Sequence, residues 1–101
     1  LDENDKQCRE IECMVRSNLA ACFVLTGAYN RAIDEASTAL SLIPHYSKAL
    51  FRRMQAYESL GRIEVAHSDA KLLVETNAES QLAQTEYKRL QELLEQKRKQ
   101  G

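Results

Sequence analysis

Apolar residues recur at three- and four-residue spacing along most of the chain, the period of a helix that buries one side. The stretches 19–25 and 29–43 show it most plainly, with small residues where two helices would cross closely. Gly27 and Gly61 punctuate the pattern as residues that tolerate positive φ, ending one helix and permitting a sharp reversal into the next. Pro44 has no backbone donor and stops the segment before it. The spacing predicts five helices, over residues 4–26, 29–42, 46–60, 63–75 and 79–98, and an all-α architecture.

The punctuation is periodic. Gly27 and Gly61 lie 34 residues apart, and the same offset relates Ala32 to Ala66, Ala36 to Ala70, Glu35 to Asp69 and Phe23 to Tyr57. A helix-turn-helix repeated at about this period, with small residues at the helix crossing, resembles the tetratricopeptide repeat (TPR). In residues 13–46, Leu19, Ala20 and Phe23 are similar to the first-helix motif of that family. Gly27 and Tyr29 are similar to its inter-helix turn, Ala32 and Ala39 to its small second-helix positions, and Pro44 to its terminating proline. In residues 47–80, Tyr57, Gly61, Ile63 and Ala66 match, while Arg53, Met54, Leu73 and Ala78 depart from the first copy.

The resemblance implies a TPR solenoid of two repeats, with residues 1–12 as a helical lead-in and 81–101 as a capping helix. The last helix does not continue the repeat. Its stripe of Leu82, Tyr87, Leu90, Leu93 and Leu94, opposite a charged side, reads as a cap over the open end of the stack. The chain begins at Leu1 without methionine, which suggests a segment of a longer protein whose first repeat is missing. The helix bearing Ile11, Val15, Leu19 and Phe23 then lacks a complete neighbour before it, so self-association of the fragment is expected.

Composition narrows the function classes. With 3 Gly and 1 Pro there is little material for a many-turned β fold. A formal net charge of -1 argues against a surface built as a whole for nucleic acid or anionic membrane. No apolar run approaches the roughly 18 residues that span a bilayer, and the acidic, polar start is unlike a secretory signal, so a soluble, cytoplasmic protein is expected. Cys8, Cys13 and Cys22 match no metal or redox spacing and read as reduced thiols. His45 and His67 have no metal-ligand arrangement around them, and Asp34, Glu35, Glu64 and Asp69 read as scattered carboxylates on outer helices. No cofactor, metal or catalytic residue is expected, and the chain reads as a non-enzyme.

The first helix of each TPR lines the concave face of the solenoid, which makes its polar residues the binding candidates. Lys48 and Arg52 are one turn apart on one face, and Asn18 occupies Arg52's place in the preceding repeat. An amide, an ammonium and a guanidinium pointing into one groove suit carboxylates. The strings SNLAAC and KALFRR resemble the carboxylate-clamp segments of TPR co-chaperones. That resemblance implies an adaptor for the acidic C-terminal tail of a cytosolic heat-shock chaperone. Asn18 would hold the terminal carboxylate, Lys48 and Arg52 oxygens further along, and Phe51 and Gln55 would add packing and a polar contact. The family's further lysine and asparagine, from a preceding repeat, have no counterpart here. The alternatives are a TPR scaffold for an unrelated peptide and a module appended to an enzyme such as a prolyl isomerase or phosphatase.

Overall fold

The structure, a computed structural model, describes residues 2–100; Leu1 and Gly101, the limits of the expected 1–101 domain, lie outside the described residues. Five helices follow one another: α1 (Glu3–Leu25), α2 (Tyr29–Leu42), α3 (Ser47–Ser59), α4 (Ile63–Thr76) and α5 (Gln81–Gln100). Each lies within two residues of its expected span. The start of α5 is fixed by Ser80, whose hydroxyl accepts from the Ala83 N–H at 3.1 Å and so satisfies an orphan donor of the first turn.

The two glycine turns are the same structure built twice. Ala28 N–H donates to the Phe23 carbonyl at 2.8 Å and Gly27 N–H to that of Val24 at 3.2 Å. Thirty-four residues on, Arg62 N–H donates to Tyr57 and Gly61 N–H to Glu58, both at 2.9 Å. These are the crossed bonds of a Schellman motif, which needs a left-handed residue; Gly27 has φ +80° and Gly61 φ +77°. A Cβ at either position would meet nothing within 4 Å, so glycine is required by the backbone and not by space. At the other junction α2 stops at Leu42, and Ile43 is extended (φ −133°, ψ 99°), as a residue preceding proline tends to be.

Helix packing is serial. α1 lies against α2 and α3, α2 against α3, α3 against α4, and α4 against α5. The result measures 51 × 30 × 19 Å, with a radius of gyration of 14.2 Å against about 13 Å for a compact domain of 100 residues. That elongation is what a one-dimensional stack produces. Ala20, Ala32, Ala36, Ala39, Ala49, Ala56, Ala66 and Ala70 are all fully buried, because methyl-sized side chains let the helix axes approach. Larger side chains, Leu50 and Met54 on α3, fill the middle of the stack.

The closed end is α5. Leu90 is fully buried against Met54, Ala66 and Ala70, and the His67 ring stacks on Tyr87 with centroids 5.0 Å apart. Arg89 of α5 reaches back to Glu58 of α3 through its guanidinium, with Nη2 2.7 Å from Oε1. The last helix therefore caps the stack and is no free tail.

Candidate functional site

α1 and α3 run side by side, and the trough between them, closed at one end by the α4–α5 junction, is a cavity of about 350 Å³. Ser17 and Asn18 line it from α1, and Ser47, Lys48, Phe51 and Arg52 from α3. Leu73 and Asn77 line it from the end of α4, and Ser80, Leu82 and Ala83 from the entry to α5. Four of the five residues singled out in the sequence, Asn18, Lys48, Phe51 and Arg52, thus share one cavity. Gln55 does not line it. It sits one turn further along α3, where its Oε1 accepts from Arg52 Nη1 at 3.0 Å, so it touches the cavity only by holding the guanidinium.

The electrostatics are one-sided. Neither Lys48 nor Arg52 has a carboxylate within ion-pair distance among the described residues, whereas Arg53 and Lys97 each have one and Arg16 and Arg89 each have two. Arg52 instead lies over the ring of its neighbour Phe51, 5.3 Å from the centroid. No acidic side chain lines the cavity. The donors there are an ammonium, a guanidinium, the Asn18 and Asn77 amides and three serine hydroxyls, while the walls at Phe51, Leu73, Leu82 and Ala83 are apolar. Such a lining attracts an anionic group carried on an apolar chain. It holds no histidine, cysteine, aspartate or glutamate.

Several lining residues escaped the sequence reading. Ser17 is only 2% exposed, and its hydroxyl has no hydrogen-bond partner among the described residues. Asn77 donates from Nδ2 to Ser47 Oγ at 2.7 Å, joining the C-terminal end of α4 to the first turn of α3. Ser17 and Ser47 adjoin Asn18 and Lys48 in sequence, and that adjacency is the one signal that points to them. Asn77, Ser80 and Leu82 belong to a junction whose approach to α1 and α3 has no sequence signal.

One expectation changes in detail. Asp69, read as one of several scattered carboxylates on outer helices, is 5% exposed and accepts both Arg53 Nε (2.9 Å) and Nη2 (2.8 Å). This fork lifts the Arg53 pKa further above its ordinary value, the hydrogen bond to Asp69 being the main cause. Its repeat counterpart Glu35 accepts from Arg16 at 2.9 Å, so one acidic position ties first helix to second in both copies. The three cysteines are free thiols on α1. Cys13 is buried with its Sγ 3.2 Å from the Ala39 carbonyl, and its burial raises the thiol pKa.

Against solved structures, the chain matches the C-terminal TPR-containing domain of an FK506-binding protein from Plasmodium falciparum with a TM-score of 0.83 and 26% identity, over 98% of this chain and 67% of that one. The fold is a tetratricopeptide-repeat solenoid. Among curated proteins, the chain is 37% identical over 82 residues to sperm-associated antigen 1A of Danio rerio, covering 81% of the chain and 19% of that protein. It is 31% identical over 82 residues to protein PHOX1 of Arabidopsis thaliana, covering 79% of the chain and 11% of that protein. The chain spans about a tenth to a fifth of the length of these relatives. No protein-family model matches it. Among the described residues, no helix is long and apolar enough to cross a membrane and no metal-binding cluster is formed.

Proposed function

We propose that this TPR module is a cytoplasmic co-chaperone adaptor that captures the acidic C-terminal tail of a heat-shock chaperone in the cavity between α1 and α3. The observation that carries the reading is the pairing of two cations that lack carboxylate partners with a cavity wall that has no acid. Asn18 holds the terminal carboxylate by its amide. Lys48 and Arg52 take oxygens further along the tail, Arg52 being oriented by Gln55 and Phe51. Charge-assisted hydrogen bonds of this kind are about twice as strong as neutral ones, and a free chain end supplies the carboxylate they need. The segments SNLAAC and KALFRR, with their resemblance to carboxylate-clamp co-chaperones, select the chaperone tail from among acidic chain ends.

Calorimetric titration with an acidic tail peptide in free-acid and C-terminally amidated forms tests the reading. Tighter binding of the free acid by roughly tenfold or more supports it, since one charge-assisted bond contributes about 1.5–3 kcal/mol. Equal affinity would favour a scaffold that reads an internal peptide. A second reading, a module appended to an enzyme, draws on the FK506-binding protein whose C-terminal TPR-containing domain shares this fold. Catalysis would then lie in another part of the protein, and the full-length sequence tests that arrangement.

A further inference from the structure

Among the described residues Ser17 carries the one buried side-chain polar atom without a hydrogen-bond partner, and it stands in the cavity wall. A buried hydroxyl left unpaired costs stability, so its persistence calls for a reason. Serines and threonines inside helices ordinarily donate to the carbonyl one turn back. Thr38 does so to Asp34 at 3.0 Å, Ser68 to Glu64 at 3.1 Å and Thr76 to Leu72 at 2.9 Å. Ser17, with the Cys13 carbonyl one turn behind it, makes no such bond although solvent reaches only 2% of the residue. The buried hydroxyl is uncommitted where the exposed ones are paired.

We infer that Ser17 is a specificity-determining residue of the cavity whose hydroxyl donates to a backbone carbonyl oxygen near the end of the bound tail, a contact that rests on the tail-capture reading above and deepens it. The repeat sorts the ligand's oxygens. Arg52 stands 34 residues after Asn18, and Phe51 stands 34 residues after Ser17. Because α1 and α3 lie side by side, the wall carries two rows: an amide beside a guanidinium, and a hydroxyl beside an aromatic ring. A carboxylate belongs to the first row, where charge meets it. Beside Phe51, Leu73 and Ala83 a carboxylate would give up its hydration for a single neutral donor, whereas a peptide carbonyl is satisfied by that one bond. Ser17 and Asn18 are consecutive on α1, about 1.5 Å apart along the axis, against about 3.3 Å per residue of an extended peptide. With Asn18 on the terminal carboxylate, the carbonyl that Ser17 takes belongs to the last or second-last peptide group.

Ser17→Ala should move stability and affinity in opposite directions, which a merely structural serine would not do. Removing an unpaired buried oxygen should raise the urea midpoint of the free chain. The rise should exceed that of Ser68→Ala, which replaces an exposed, already paired hydroxyl and carries the helix-propensity gain alone. In calorimetry the same Ser17→Ala chain should bind an acidic free-acid tail peptide about fivefold or more weakly, the loss of one buried hydrogen bond. Tail peptides with a thioamide, a weak acceptor, in place of the last or the second-last amide locate the oxygen. One of the two should bind the parent chain more weakly, and that penalty should vanish in Ser17→Ala. A midpoint no higher than that of Ser68→Ala would mean that Ser17 is paired in the free chain, and would overturn the inference. So would an unchanged affinity while the parent chain still prefers the free acid to its amidated form, and tail capture itself would then stand. A parent chain indifferent to the free acid would overturn both. No thioamide penalty at either position, or one that persists in Ser17→Ala, would end the assignment of the hydroxyl to a carbonyl.

Discussion

Arg52 and Arg53 are neighbours on α3 and have opposite fates. Arg53 points toward α4, where Asp69 takes it in a two-point fork, and Ser37 of α2 accepts a third bond at 3.2 Å. Arg52 lines the trough beside α1, held by the Gln55 amide and the Phe51 ring of its own helix, with no carboxylate within ion-pair distance among the described residues. The same contrast runs along the whole helix. On the α4–α5 side Glu58 engages Arg89 and Leu90 is sealed in the core, while on the α1 side Lys48 and Arg52 stand beside a cavity with no acid on its wall. Helix faces whose charges are neutralised within the chain hold the stack together. A face whose charges are left unmatched is available to something outside it. A successive-residue step of about 100° is enough to move a side chain from one environment to the other.

Breaking the closed side should have the largest effect. Leu90→Ala removes the anchor of α5 and should lower stability by about 2–5 kcal/mol, with all five helices melting earlier in urea because neighbouring units are coupled. A loss confined to α5 would mean that the cap is independent of the stack. Asp69→Ala strands the half-buried Arg53 and should cost about 3 kcal/mol, read by the same denaturation curves. An unchanged midpoint would erase the distinction between the two arginines.

The open side should respond in binding and not in folding. Lys48→Ala and Arg52→Ala should each weaken an acidic free-acid tail by about 1.5–3 kcal/mol in calorimetry, with the thermal melt unaltered. Loss of affinity that tracks loss of helix would mean that these cations are structural after all.

The smallest effect belongs to the exposed pair of Lys97 and Glu64, 2.9 Å apart. The hydrogen bond from Lys97 holds the Glu64 carboxyl below its ordinary value. A depressed folded-state pKa gives stability that is present above the unfolded value and lost as the pH falls through the folded one. Lys97→Ala should therefore matter slightly at neutral pH and not at all once Glu64 is protonated in both states. Melts of the two chains near pH 7 and near pH 3 check this: a difference that grows on acidification would contradict it.

How much was legible follows from what kind of force decided each feature. The helices, the two glycine turns and the 34-residue repeat were readable because they depend on local backbone physics: helical periodicity, a φ that only glycine adopts freely, a proline without a donor. Asn18, Lys48 and Arg52 were found together because a repeat converts sequence offset into spatial neighbourhood, and Phe51 came with them on the same helix. The fork between Arg53 and Asp69 was not legible, since the first copy pairs its acid with Arg16, a position that is Leu50 in the second. Nor were Asn77, Ser80 and Leu82, which reach the cavity only because α5 folds back after a non-repeating junction. The sequence by itself determined the elements and their order through interactions along a few turns of chain. Which charges are cancelled, which stay free and where the cavity closes were decided only when helices distant in sequence packed, because burial and pairing are properties of the assembled stack.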